Sequence, residues 1–226
     1  FSNNPIWLID PSGADTLQFG DDNKYVKTIP SEGIDVGMKT GKNGFVFDFA
    51  DPINDVAAIE AGTITELYIP TKEEMLNDLN NAGVLNADDS DKGNYDGAKY
   101  LYNNSNAAVN SGKTDFVVTS KMHGSMEWGG EELGMGYNSN YLYITKVDDK
   151  MLAHNNKNYG NFMWGASARS LEVGIGLALA GAHLNNYLND VHNSDKRWWQ
   201  RDIDTKDDQF SITSGYLWFH DYTKGK

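Results

Sequence analysis

The sequence contains no cysteine. That excludes a disulfide framework, a thiolate metal site and a cysteine nucleophile. A chain without thiols crosses between reducing and oxidising compartments without redox chemistry, which suits an exported protein. Cations are also scarce: 19 Lys and Arg stand against 32 Asp and Glu, for a formal net charge of −13. Nucleic-acid binders gain affinity from basic side chains that neutralise phosphates. A nuclease built on this chain therefore needs a local basic patch working against an unfavourable mean field. Long hydrophobic runs are missing as well. The most apolar stretch, Val173 to Leu184, falls short of the roughly 20 residues that span a bilayer, so stable membrane insertion is not expected. The opening Phe1-Ser2-Asn3-Asn4-Pro5 has no basic n-region, no apolar h-region and no initiating Met. We therefore expect a segment of a longer protein.

What is present is enough to fold. The 226 residues are 39% hydrophobic and 12% aromatic, ample for a real core. Asn4-Pro5-Ile6-Trp7-Leu8-Ile9 reads as a strand and Asp10-Pro11-Ser12-Gly13 as a turn. Residues 20 to 70 look β-rich, with the clearest strands at Gly44 to Phe49 and Ile64 to Ile69. Thr71 followed by Glu74 makes a capping box for a helix with Met75, Leu76 and Leu79 on its apolar face, stopping at Gly83. Residues 86 to 113 read as a polar loop with a short helix around Gly97 to Tyr102. Phe116 to Thr119 and Tyr141 to Thr145 are further strands. Phe162 to Val191 carries one long helical pattern, apolar nearly all round, which predicts a buried central helix. A last helix is predicted from Asp207 to Tyr222. The class is α+β: a β-rich N-terminal half, then a helical C-terminal half around one long buried helix.

Two resemblances add to this reading. Asn3-Asn4-Pro5-Ile6-Trp7-Leu8-Ile9-Asp10-Pro11-Ser12-Gly13 resembles the end of the RHS core. In RHS proteins this motif separates a β-rich cocoon from a variable C-terminal toxin. The resemblance implies that residues 1–17 end the core, with Asp10 matching a self-cleavage aspartate and Leu17 near the cut. Ala14 stands where an aromatic is usual and the spacing is one residue short, which argues against cleavage. Further on, Asn158-Tyr159-Gly160-Asn161-Phe162, Gly165-Ala166, Ala180-Gly181-Ala182-His183, Asp207 to Ile212 and Gly215-Tyr216 resemble the polymorphic toxin type 44 domain. The Gly-rich stretch Gly124 to Gly130 resembles a Gly-Trp-acidic segment of that family. The implied division is 1–17, end of the RHS core; 18–114, a β-rich part of the toxin region; and 115–226, a toxin type 44-like domain. The implied function is a secreted toxin delivered into a target bacterial cell, with the parent RHS cocoon and a cognate immunity protein as partners.

Several residues are candidates for chemistry. His123 and Glu127 lie in a Gly-rich loop, and Glu127 sits between Met126 and Trp128. Apolar neighbours raise a carboxyl pKa, as a general acid requires. Asp202 or Asp207 is the candidate second carboxylate. Trp128, Asn158, Tyr159, Asn161, Arg197, Trp198 and Arg201 are candidate substrate-binding residues, since aromatic rings and Arg suit both sugars and bases. Against these stand ordinary structural roles: Asn161 as a helix cap with Phe162 beneath it, and His183 as a hydrogen-bonded core residue. His192 would meet a helix end, and the aspartates around 202–208 would cap the last helix. Those aspartates lack the Gly and terminal Glu of an EF-hand loop, so no metal site and no cofactor is expected. Three function classes remain open. The first is a peptidoglycan hydrolase with a Glu general acid. The second is an RNase using His123 and Glu127 as the acid–base pair. The third is a membrane-perturbing toxin. The acidic charge favours the first, and the resemblance to the toxin family favours the second.

Overall fold

The computed structural model describes residues 15–104, 127–128, 133–134, 139–189 and 205–224. Four strands open it: β1 (Asp15–Phe19), β2 (Tyr25–Pro30), β3 (Val36–Lys39) and β4 (Phe45–Phe49). Then come α1 (Pro52–Glu60), β5 (Glu66–Tyr68), α2 (Lys72–Asn81) and α3 (Asn94–Asn103). A small ribbon, β6 (Glu127–Trp128) with β7 (Leu133–Gly134), precedes β8 (Tyr141–Val147) and β9 (Lys150–His154). Three helices close the chain: α4 (Asn156–Ser170), α5 (Ile175–Asn189) and α6 (Lys206–Lys224). The class is α+β, with strands gathered early and helices late, as the sequence predicts. The strand expected at Phe116 to Thr119 and the RHS-like segment up to Ala14 lie outside the described residues.

Seven strands form one sheet in the order β2-β1-β3-β4-β9-β8-β5. β1 and β3, β4 and β9, and β5 and β8 pair in parallel; the other neighbours are antiparallel. The sheet therefore joins strands from either side of residue 114. Its two edges nearly meet. Lys24 bridges Glu66, the Tyr25 N–H donates to the Thr65 carbonyl at 2.9 Å, and the Leu67 N–H to the Asn23 carbonyl at 2.8 Å. Strand alternation sorts the side chains between two cores. Leu17, Phe19, Phe47, Phe49, Leu142 and Ile144 fill the inside of the curled sheet, with Ile59 of α1 added. From the other face of β8 and β9, Tyr143, Val147 and Leu152 meet the helices. Each such burial contributes about 1.5–3 kcal/mol.

α2 follows its sequence signals closely. Thr71 and Glu74 form the reciprocal capping box, and Gly83, at φ 80°, follows the last turn. α3 forms where a short helix was expected, over Asn94–Asn103. Two strongly marked expectations change. The helical pattern of 162–191 is two helices, because the chain leaves the helix at Leu171 and Glu172 takes φ 59°. The Val173 N–H then returns to the Ala168 carbonyl at 2.9 Å, closing the end of α4. The buried central helix is α4, whose Asn158, Tyr159, Phe162, Met163, Gly165, Ala166 and Ala168 are all inaccessible. The more apolar α5 lies outside it and leaves Leu177, Ala180 and Leu184 exposed. Apolar character all round did not identify the centre; α4 is central because it packs against β8, β9, α2, α3, α5 and α6. α1 and β9 are additions that the coarse reading of 20–70 and 145–160 does not contain.

α4 and α6 cross at two glycines. A Cβ on Gly165 would overlap the Ile212 carbonyl, and a Cβ on Gly215 would overlap the Phe162 carbonyl. Backbone cannot yield as a flexible side chain does, so Gly165→Ala and Gly215→Ala should each destabilise the protein by about 3 kcal/mol, the upper end of overpacking costs. Gly176 in α5 has nothing within 4 Å of its Cβ position, so Gly176→Ala should be neutral or stabilise by about 0.5 kcal/mol. Urea unfolding midpoints of the three variants measure the contrast.

Candidate functional site

The site begins with two parallel neighbours. β4 and β9 run side by side, and the Ala50 N–H bonds the Ala153 carbonyl at 2.8 Å just beyond them. Each strand turns at once into a helix. The starts of α1 and α4 are thereby brought together, outside the carboxyl ends of adjacent parallel strands, where open sheets commonly bind ligands. Asp51 caps α1 and Pro52 follows in its first turn. Asn155 caps α4, accepting from the Asn158 N–H at 2.9 Å. The crossing of α4 and α6 adds a third helix start. Its Thr205 and Asp208 cap each other: the Thr205 hydroxyl donates to Asp208 at 2.6 Å and the Thr205 N–H at 3.2 Å.

Four carboxyls and four amides meet there. Asp51 accepts from the Asn54 N–H at 3.2 Å and from its side chain at 2.6 Å. Asp55 Oδ1 accepts from Asn155 Nδ2 at 2.8 Å. Asp208 Oδ1 accepts from Asn161 Nδ2 at 2.6 Å, and Asp207 Oδ2 faces Asn158 Nδ2 at 3.5 Å. Asp55 is 1% exposed, and its Oδ2 has no hydrogen-bond partner among the described residues. Asp207 and Asp208 are half-buried.

Burial sets the protonation of this cluster. It lifts the Asp55 carboxyl from 3.8 to about 7, against the lowering effect of the Asn155 amide and with further lifting by Asp51 and Asp207. Burial also raises Asp51 and Asp208, partly offset by their hydrogen bonds. Asp55 is thus poised between acid and carboxylate at neutral pH, beside the more open Asp207. A buried carboxyl whose pKa is raised in this way can act as a proton donor. Among the described residues, no three His, Cys, Asp or Glu side chains are grouped to hold a metal ion.

A second polar cluster lies beneath the first. His154 is 0% exposed; its Nε2 lies 3.1 Å from the Thr145 hydroxyl and its Nδ1 3.0 Å from the Ser211 hydroxyl. Burial pushes its pKa down to about 3, so the ring is neutral. Ser211 is fully buried too, so this trio pins α6 to the sheet.

The predicted residues divide unevenly. Asn158, Asn161 and Asp207 come together, with the two amides holding aspartates. Asn161 does not cap a helix: α4 starts at Asn156, and Asn161 lies within it. Tyr159 lies in the core. It is fully buried, stacked on Tyr143 with ring centroids 4.5 Å apart. His183 is half-buried, and its Nδ1 has no partner among the described residues. Glu127 and Trp128 form β6, and only their backbone pairing is described. His123, Arg197, Trp198, Arg201 and Asp202 lie outside the described residues. Asp51, Asp55 and Asn155 escaped the sequence reading. The signal for the first pair was local: Asp51-Pro52 is a helix-start signature with Asp55 one turn on. No family model, curated protein or solved structure matches the chain.

The two buried titrations pull stability in opposite directions. Asp55 is raised on folding, so its contribution is fully present below about pH 3.8 and is lost as pH rises through about 7. His154 is depressed, so its contribution is fully present above about pH 6.5 and is lost as pH falls towards 3. Between about pH 4 and 6.5 the slopes oppose each other, and stability should change little. Asp55→Asn should remove the falling limb and stabilise the protein by about 2 kcal/mol at pH 8, the ionisation penalty less the cost of an unpartnered amide. Denaturant titrations at pH 4, 6 and 8 test this; an Asp55→Asn profile parallel to the parent's would show that Asp55 ionises freely.

Proposed function

We propose that this chain is the toxin module of an RHS protein and that it hydrolyses the glycan of peptidoglycan in a target bacterium. Asp55 is the proton donor, in place of the Glu127 expected from sequence, and Asp207 is the partner carboxylate. The observation that carries the reading is the pairing of a buried carboxyl near neutrality with a more open one in the same cluster. In such a reaction the acid gives its proton to the glycosidic oxygen as the C–O bond breaks. The second carboxylate stabilises the positive charge at the anomeric carbon, and water supplies the hydroxyl that ends there. Asp55 is then reprotonated from water. Because Asp55 is closed to solvent, binding must open a path to it.

The electrostatics favour a glycan over RNA. Four aspartates converge with amides, and no ion pair among the described residues reaches them, in a chain of net charge −13. A polyanion meets repulsion at such a site; a neutral sugar polymer does not. The same charge calls for a cognate immunity protein that presents Lys or Arg to the cluster. No helix among the described residues is long and apolar enough to cross a membrane, so membrane insertion by a described helix gains no support.

The test is expression in a bacterium, in the cytosol and exported to the periplasm, beside assays on purified sacculi. The exported form should lyse cells and release muropeptides. Asp55→Asn and Asp207→Asn should each lower the release rate by about 10²–10⁴-fold, the usual worth of acid–base groups. Glu127→Gln should retain activity; selective loss in that variant would move the site to the β6–β7 ribbon. Killing from the cytosol, with RNA degraded and the envelope intact, would sink the glycan reading in favour of a ribonuclease.

A further inference from the structure

We infer that Asn155 is a positioning residue that fixes the acidic proton of Asp55 on Oδ2, making Oδ2 the only atom from which Asp55 can deliver it. The inference rests on the site proposed above, but its logic is that of hydrogen-bond donors and acceptors alone.

One donor near Asp55 has no choice of role. The backbone N–H of Asn158 can only donate, and it points at Asn155 Oδ1 from 2.9 Å. Turning the Asn155 amide over would set an NH₂ group against that N–H, so the amide orientation is settled. Asn155 Nδ2 therefore faces Asp55 Oδ1, at 2.8 Å, and an NH₂ group can only donate. Oδ1 must accept. In a protonated carboxyl the carbonyl oxygen is the stronger acceptor, so this bond favours Oδ1 as the C=O and places the hydroxyl on Oδ2. That oxygen is buried and has no partner among the described residues. A cap for one helix thus sets which oxygen of a residue on another helix is the donor.

The other charged groups around Asp55 do not alter this assignment. Asp51 and Asp207 act on it through space and disfavour its ionisation without choosing between its oxygens. Asp208 is committed to Thr205 and Asn161. Asn155 is the residue that bonds one oxygen and leaves the other.

Two variants keep the cap and delete the donor. Ser and Asp at position 155 both accept from the Asn158 N–H, as N-caps do, but neither offers an amide to Asp55. Infrared spectroscopy of the whole chain reads the protonated carbonyl directly, with the Asp55 band identified by its disappearance in Asp55→Asn. In the parent that carbonyl is Oδ1 and accepts a hydrogen bond. In Asn155→Ser it loses that bond and its stretch should move to higher frequency. Carboxyl ¹³C titration should show the Asp55 midpoint rising by about one unit in Asn155→Ser, the worth of one hydrogen bond to a charged group. It should rise further in Asn155→Asp, which adds a like charge. An Asp55 carbonyl band unmoved in Asn155→Ser, or a midpoint that falls, would overturn the assignment. These readouts require no turnover. If they hold while sacculi stay intact, the glycan reading fails alone; if sacculi are cleaved while the band stays put, the positioning role fails alone.

Discussion

The close crossing of α4 and α6 at Gly165 and Gly215 is the constraint on which the rest of this structure depends. Two backbones approach so nearly that neither position admits a methyl group. That approach sets Asn158 and Asn161 opposite Asp207 and Asp208. It also brings Ser211 against His154, which reaches α6 from the sheet. With bulkier residues at the crossing, the helices would separate by more than a hydrogen bond can stretch. The amide–carboxyl contacts and the histidine link would then fail together. The small residues at the crossing thus decide the polar geometry on either side of it.

A second constraint acts through burial. Three helix N-termini converge on the aspartates, and helix dipoles favour carboxylates over acids at such ends. Each dipole is worth about 0.3–1 kcal/mol. Removing Asp55 from water outweighs that, since its pKa rises to about 7 despite the Asn155 hydrogen bond. A rise of that size corresponds to about 4 kcal/mol. The outcome therefore depends on depth. Asp207, half-buried and near the same helix ends, feels less desolvation than Asp55. Within one cluster the carboxyls lie at different depths, and the deepest, Asp55, is the one that burial lifts to about 7.

Much of the scaffold was legible in the sequence because its signals are local. Thr71 and Glu74 announce their helix within four residues, and the strands at Phe45–Phe49 and Tyr141–Val147 carry their own β-branched and aromatic patterns. The last helix stands where the aspartates before Phe210 suggest. The break between α4 and α5 was not legible, since apolar periodicity runs through it and a glutamate, not Gly or Pro, takes the positive φ. Nor was the site as a whole. Asn158, Asn161 and Asp207 stood out through family-like motifs, but Asp55 meets Asn155 across 100 positions of sequence. That meeting follows from the parallel pairing of β4 with β9, and no local pattern encodes which strands will be neighbours. Tyr159 shows the converse: a conspicuous residue in a conspicuous motif can be there to stack in the core.

The kind of donor that holds a carboxyl cluster sets how acidic that cluster stays. Carboxylates that only tie helices together are held best by Arg or Lys, whose charge offsets the repulsion and lowers their pKa values. Here the donors are the side chains of Asn54, Asn155, Asn158 and Asn161, with Thr205. The ion pairs among the described residues, such as Lys24 with Glu66 and Lys92 with Asp89, lie elsewhere. Neutral amides fix the geometry of the carboxyls while leaving their mutual repulsion in place. That repulsion adds to burial in keeping Asp55 a weak acid. A cation in place of the Asn155 amide would instead lower the Asp55 pKa by favouring its charged form. An arrangement that leaves this stabilisation unused and keeps one proton near neutrality is the kind that the proposed acid catalysis would use.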